Sequence, residues 1–581
     1  MIEGTSLNLA QQIADDAWGE LQRRAYVQAQ MGAPLTRLPD LSLVEAERRS
    51  ELGRSLLKRL EGIEWQTLPH DWALTLRLVQ FNARVWVREA EWYWLVVEPT
   101  GLTGFFCLFL PTAYCGGFLL NLLHTQLRSF TLEKSGDADH YLELVAEYAS
   151  MMHQMADRTA GQAARGIRMP KVQIFQARAL LQALKSSACI ALDVSEERLS
   201  GGATRKFLVE LRRRIAAHVA PAFDRALAEL GEGYFELAPE SVGIGQYLGG
   251  ADVYAELVKI HTTLELTPEE VHARGHARLT EIEDAMRVIR GDLKFKGDAT
   301  AFLGHLNQAS RWRAHTIEGV TRFFQRYMDR AKPHLSQHFR TLPKAPYAVA
   351  PLPEALQKSY TFGFSDPPRR NRAEGLYLFN AENLTKQALF TVAALTYHEL
   401  MPGHHLHCAT QQENESLHPL RKYGFVNAYN EGWAEYAAAN LSAELGLYEE
   451  PEERYGRLMF DAFLTSRLVV DTGMNVLGWS LERGQSYLRD HSGLSEAEIL
   501  TESLRYSCDR PAQALAYKLG DTEIVSLREQ MKDALGARFS LKDFHEAVLG
   551  PGALPLHDLK WHINHEIVRL RAQYTSEARR S

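Results

Sequence analysis

The segment Tyr397-His398-Glu399-Leu400-Met401-Pro402-Gly403-His404-His405-Leu406-His407 gathers several imidazoles around one carboxylate. Neutral imidazole is the commonest protein ligand for transition metals, and a carboxylate beside a metal-activated water can act as its general base. In the H-E-x-x-H motif of zinc hydrolases the two histidines lie four residues apart on one helix face, with the glutamate beside the first. Here position 402 is Pro, so that motif is not met as written. On an undistorted helix His404, six residues after His398, lies about 240° around; His405, seven residues after it, is nearly on the same face but about 10.5 Å along the axis. Pro402 cannot donate to the carbonyl of His398 and its ring clashes there, so the spacing predicts a kink or bulge. A bulge absorbing two residues would bring His404 to the place of the second ligand, and one absorbing three would bring His405. His404 is preferred and His405 stays open.

A catalytic zinc site usually takes three protein ligands and keeps a place for water. Downstream, Tyr429-Asn430-Glu431-Gly432-Trp433-Ala434-Glu435-Tyr436 has helical periodicity, and Glu431 stands 26 residues beyond His405. That is room for the rest of one helix, a loop and the start of an antiparallel helix facing it, which makes Glu431 the expected third ligand. Glu435, one turn further on the same face, is placed to accept a hydrogen bond from a ligand histidine and orient its ring. A buried glutamate among histidines with no ion or partner would cost several kcal/mol, so one divalent ion, taken as Zn²⁺, explains the grouping. Glu399 is the expected base. The chain has 22 histidines, and His261, His272, His276 and His305 sit in helical patterns without clustered carboxylates; these read as ordinary structural histidines.

The elements that must position these groups are mostly helices. Residues 5–335 have helical periodicity with clear starts, such as Thr267-Pro268-Glu269-Glu270, where a capping Thr, a first-turn Pro and acids meet the helix dipole. Between about 340 and 381, short β-branched and aromatic runs alternate with Pro, Asp, Gly and Asn, which predicts a small sheet next to the His398 helix. Helical periodicity resumes near Asn383, with stops expected at Gly473, Gly520 and the Gly550-Pro551-Gly552 turn. The expected fold is mainly α, with a helical region over residues 1–340 and a catalytic region over 341–581 joined in one compact unit. Gly375 to Asn380 reads as an edge strand able to pair with an extended peptide.

Composition narrows the function. The 581 residues, 45% hydrophobic and with 65 Lys and Arg against 72 Asp and Glu, describe a folded protein with a net charge of −7, which gives no net attraction to nucleic acid or anionic lipid. The five cysteines are odd in number and scattered, against a disulfide framework. The uncharged stretch Gly104 to Leu123 contains Pro111 and Gly116-Gly117, so it reads as buried core rather than a membrane span. With an N-terminus lacking signal-peptide features, a cytoplasmic location is expected. The oligomeric state is left open.

The pattern H-E-x-x-P-G-H-H followed by E-G-W-A-x-Y resembles the bacterial family DUF885, itself similar to helical gluzincin-type zinc metallopeptidases with two His and one Glu as ligands. Further matching segments are Gly245-Gln246-Tyr247, Gly375 to Asn380, Arg467 to Gly473, Gly478-Trp479-Ser480 and Pro511 to Gly520. The resemblance implies a metallohydrolase acting on a small peptide or other amide, with Tyr517 as a candidate oxyanion donor. It also implies contacts to ligands or substrate from Arg467, Asp471, Arg505 and Gln513. Arg467 and Arg505 are expected to reach an inward-facing carboxylate, and Arg369, Arg370 and Arg372 could meet a peptide's C-terminal carboxylate. Two positions depart from the family pattern: Asn475 where His is expected, and Ala512 where Gly is expected. The first puts in doubt any substrate contact made from position 475. A metal-free helical binding protein is the alternative of another class.

Overall fold

The computed structural model describes residues 2–99, 105–199, 204–357, 360–370 and 372–578. Long helices dominate, among them His70–Trp92, Asp137–Ala164, Pro268–Asp292, Pro451–Asn475 and Leu556–Ala578, and among the described residues there is one three-stranded sheet, as expected. The Thr267 start forms a complete capping box: its hydroxyl accepts from the Glu270 amide, and the Glu270 carboxylate accepts from the Thr267 amide at 2.8 Å. Such a cap is worth about 1 kcal/mol. The helix it opens packs along Pro451–Asn475, which is buried on almost every face.

The apolar cores draw on both sides of residue 340. One joins Leu56, Leu74 and Trp86 to Leu406, Trp433, Ile524 and Ile563. The uncharged stretch, from Phe105 on, is largely buried in another, Gly104 lying outside the described residues. No helix among the described residues is long and apolar enough to cross a membrane.

The sheet holds β1 (Tyr347–Pro351), β2 (Gly363–Asp366) and β3 (Gly375–Phe379) in the order β1-β3-β2. β1 runs parallel to β3, with Tyr347 opposite Gly375, and β2 runs antiparallel, with Asp366 opposite Leu376. The strand expected at the edge is therefore the central one. Its alternation explains this: Tyr377 and Phe379 are fully buried, each ring 5.4 Å from that of Phe324, in the core that also takes Leu395 and Tyr397 of the His398 helix. The sheet does lie beside that helix.

One expected helix stop is not a stop. Gly520 lies inside Ala516–Leu535, whereas the helix Pro451–Asn475 does end two residues past Gly473, and the Gly550-Pro551-Gly552 turn separates Leu541–Leu549 from Leu556–Ala578. Gly520 serves a close helix crossing. A β-carbon there would lie 2.1 Å from the Ala428 carbonyl oxygen, and one at Gly432 would lie 2.5 Å from the Gly520 carbonyl carbon. The helices Asn427–Glu435 and Ala516–Leu535 thus touch backbone to backbone, which only glycine permits. Gly432→Ala is expected to lower the unfolding free energy by about 2–3 kcal/mol in denaturant titrations, because the backbones on both sides must separate.

Candidate metal centre

The helix Val392–Glu399 is buried on all sides, and His398 is near its end. Leu400 leaves the helix with φ −112° and ψ −112°, the Met401–Pro402 peptide is cis, and a new helix, His404–Glu413, begins after Gly403. The bulge expected within one helix is thus a break between two. Gly403 folds back over the end of the first: a β-carbon on it would lie 1.9 Å from the carbonyl oxygen of His398 and 2.4 Å from that of Tyr397. This doubling back sets the His404 ring edge-on to His398, with centroids 4.9 Å apart and planes at 87°.

His404 and not His405 therefore faces inward. One residue further along a helix points about 100° away, and His405 donates from Nε2 to the Ala345 carbonyl at 3.0 Å, its ring 4.8 Å from that of Tyr347. It belongs to the joint with β1, not to the centre. Burial lowers its pKa.

Glu431, on the helix Asn427–Glu435, brings Oε2 to 3.1 Å from His404 Nε2 and 3.7 Å from His398 Nε2. Donors bound to one tetrahedral zinc at about 2.0–2.2 Å would stand roughly 3.4 Å apart, and these two separations straddle that value. The three ligand atoms all lie within 4.8 Å of one another. On its other side His398 presents Nδ1 to Glu435 Oε2 at 3.4 Å, and neither buried atom has an aligned hydrogen bond. Burial opposes charge on His398, yet Glu431 and Glu435 push its pKa up to about 10. Burial also works against the Glu431 carboxylate, which His404 and His398 nonetheless hold far below the usual range. The donor set and its field thus fit a cation held by His398, His404 and Glu431.

The rest of the E-G-W motif has equally local reasons. Gly432 makes the helix crossing described above, and the Trp433 indole donates to the Pro402 carbonyl oxygen at 3.1 Å, tying the helix of Glu431 to the turn between the two histidines. Behind Glu435 lies Lys518, buried and 2.8 Å from Asp461, 2.5 Å from Asp521 and 4.0 Å from Glu435.

His398, His404, Glu431, Glu399 and Tyr517 border one cavity of about 500 Å³. Glu399 is anchored by Ser365 of β2, whose hydroxyl reaches its Oε2 at 2.5 Å. The Tyr517 ring stacks on His398, with centroids 6.1 Å apart and planes at 14°, and burial raises its pKa, keeping the phenol a donor. Arg505 donates to Gln513 at 2.7 Å and lies 3.4 Å from the Tyr517 hydroxyl. The inward-facing carboxylate expected for Arg467 and Arg505 is Glu502, at 3.1 and 3.6 Å. Arg369 and Arg372 border the same cavity, both paired with Asp366, whereas Arg370 is exposed and off its wall.

Asp471 is not on the cavity wall. It lies one helical turn beyond Arg467, past the end of the cavity, where its carboxylate accepts from the Tyr254 hydroxyl at 2.7 Å, the Ala512 amide at 3.0 Å and Asn475 at 3.1 Å. Burial pushes its pKa up to about 7. Asn475 is off the wall too: its amide donates to the carbonyls of Asp471 and Tyr506, and its oxygen accepts from the Ile244 amide. Sequence reasoning missed Ser365, Glu502 and Arg510, which border the cavity from outside the recognised motifs.

None of His261, His272, His276 and His305 joins a metal-ligating group among the described residues. His70, His562 and His565 do approach one another, but the rings of His70 and His565 stack at 3.7 Å with planes only 13° apart. Imidazole lone pairs lie in the ring plane, so stacked rings do not aim at a common ion.

The sequence profile of DUF885, described as a bacterial protein of unknown function, matches residues 27–563, and the chain belongs to this family. Solved structures share its fold, two of them as follows. A candidate lipoprotein from Colwellia psychrerythraea has a TM-score of 0.82 at 24% identity, over 97% of this chain and 99% of that one. A candidate lipoprotein of unknown function from Shewanella oneidensis has a TM-score of 0.71 at 16% identity, over 96% and 99%. No curated protein matches the chain.

Ala512 adopts φ 64°, the left-handed region that favours glycine. Ala512→Gly is expected to raise the unfolding free energy by about 0.5–1 kcal/mol, read as a higher midpoint of thermal or urea unfolding.

Proposed function

We propose that the protein is a zinc-dependent hydrolase of short peptides. The observation that carries this reading is the convergence of His398, His404 and Glu431 on one point, with Glu399 on the wall of the same cavity. Two imidazoles and a carboxylate form a donor set suited to zinc. Zinc bound there would supply a water of pKa near ~7 and a Lewis acid for the scissile carbonyl.

The chain's own groups supply the remaining work. Glu399, held through Oε2 by Ser365, takes the proton of the attacking water and returns it to the leaving nitrogen. Tyr517 donates its hydroxyl toward the developing oxyanion. Glu435 holds the His398 ring in orientation. A cavity of about 500 Å³ admits a small ligand and excludes a folded protein. The peptide-pairing role expected of the Gly375–Phe379 strand passes to β2, an edge strand whose four residues border the cavity.

Protein purified without added metal is expected to hold close to one zinc per chain by elemental analysis. His404→Ala should lose it while His405→Ala keeps it; a His404→Ala protein with full zinc content would refute the ligand assignment. Glu399→Gln should keep the metal and lose about 10²–10⁴ in turnover on short peptides. Wild-type turnover from Glu399→Gln would remove the general base from the mechanism.

A further inference from the structure

The cavity wall away from the histidines is unusually rich in guanidinium groups. Arg369 and Arg372 share Asp366, and Arg467 and Arg505 share Glu502. Two more border the cavity without an ion-paired carboxylate among the described residues: Arg128, which is exposed, and Arg510, which is buried. The Arg510 side chain is only 7% exposed, and its guanidinium lies over the Phe105 ring at 4.1 Å. Nε and Nη2 are buried without any hydrogen-bond partner. The adjacent Asp509 feels the Arg510 charge but makes no ion pair with it, its carboxylate accepting instead from the Thr112 hydroxyl at 2.5 Å and the Tyr114 amide at 2.8 Å. Residues 100–104, which precede Phe105, contain no acidic side chain.

A buried cation without an ion-paired carboxylate is costly, and a planar guanidinium whose N–H groups are unsatisfied can turn to meet a carboxylate bidentately. The backbone holds Arg510 in place, its amide bonded to the Arg505 carbonyl at 2.7 Å. Arg510 borders the same cavity as His398, Glu399 and His404. Four of the six arginines share two carboxylates, so this wall carries an excess of positive charge for an anionic ligand to neutralise.

We propose that Arg510 is the receptor for a free carboxylate of the substrate, making peptides that present one the preferred substrate class. The carboxylate could be the peptide's C-terminus or an acidic side chain. The hydrolytic part of this assignment rests on the metal-centre reading above; the carboxylate site itself does not.

Binding to zinc-loaded Glu399→Gln protein, which should not consume the ligand, separates the two. The probes are Ala-Ala-Phe as the free acid, its C-terminal amide, and Ala-Glu-Phe amide, titrated calorimetrically. At least one carboxylate-bearing peptide should bind about tenfold or more tightly than the Ala-Ala-Phe amide, and which one does so identifies the source of the carboxylate. Adding Arg510→Gln should bring the ratio close to one, while Arg510→Lys retains part of it. If charged and uncharged peptides bind the Glu399→Gln protein alike, the proposal is overturned whether or not Arg510→Gln folds. It is overturned equally if Arg510→Gln keeps the preference. Where the preference is present and lost with Arg510, but the wild-type protein hydrolyses none of the peptides, the carboxylate site stands and the peptidase reading falls. If no peptide binds, both fall.

Discussion

Four residues of main chain, Leu400 to Gly403, decide whether two imidazoles and a carboxylate can meet. Had the helix continued, His404 would point away from His398 and the set would scatter. Instead the chain leaves the helix, passes Pro402 and folds back so tightly that Gly403 has no room for a side chain. The turn is held from the far side by the Trp433 indole on the Pro402 carbonyl. The order of residues in the two motifs follows: a proline to end one helix, a glycine to pass under its last carbonyls, a histidine to open the next, and a tryptophan near Glu431 to hold the turn.

The centre also depends on how its buried charge is balanced. Glu431 and Glu435 flank His398, and behind Glu435 the Lys518 ammonium is shared with Asp461 and Asp521. Charges taken out of water persist only where partners surround them. That requirement explains why Asp461 and Arg467, carried toward the interior by the helix Pro451–Asn475, each meet an opposite charge. It also sets Arg510 apart, since every other buried arginine on the cavity wall shares a carboxylate.

Much of this is legible in the sequence because the signals are local. Hydrophobic periodicity gives the helices, Thr267 gives a cap, and clustered His and Glu mark the centre. Helix geometry limits the second ligand to His404 or His405 but cannot choose, because the path after a proline break depends on what packs against it. Gly520 looks like a stop because a glycine needed for close helix packing is the same in one dimension as a glycine that ends a helix. The strand at Gly375 is expected at an edge but lies at the centre, since strand order is a long-range property. Asp471 shares a helix face with Arg467, yet periodicity does not say where along the helix a cavity ends. Ser365 and Arg510 give no signal, since a single serine or arginine acquires meaning only from what lies opposite it.

The contact between Gly432 and Gly520 acts as a fixed-gap caliper. Glu431 sits one residue before one jaw and Tyr517 three residues before the other, so the spacing of carboxylate and phenol is gauged by two peptide backbones. Widening the jaws would displace the carboxylate and the hydroxyl together.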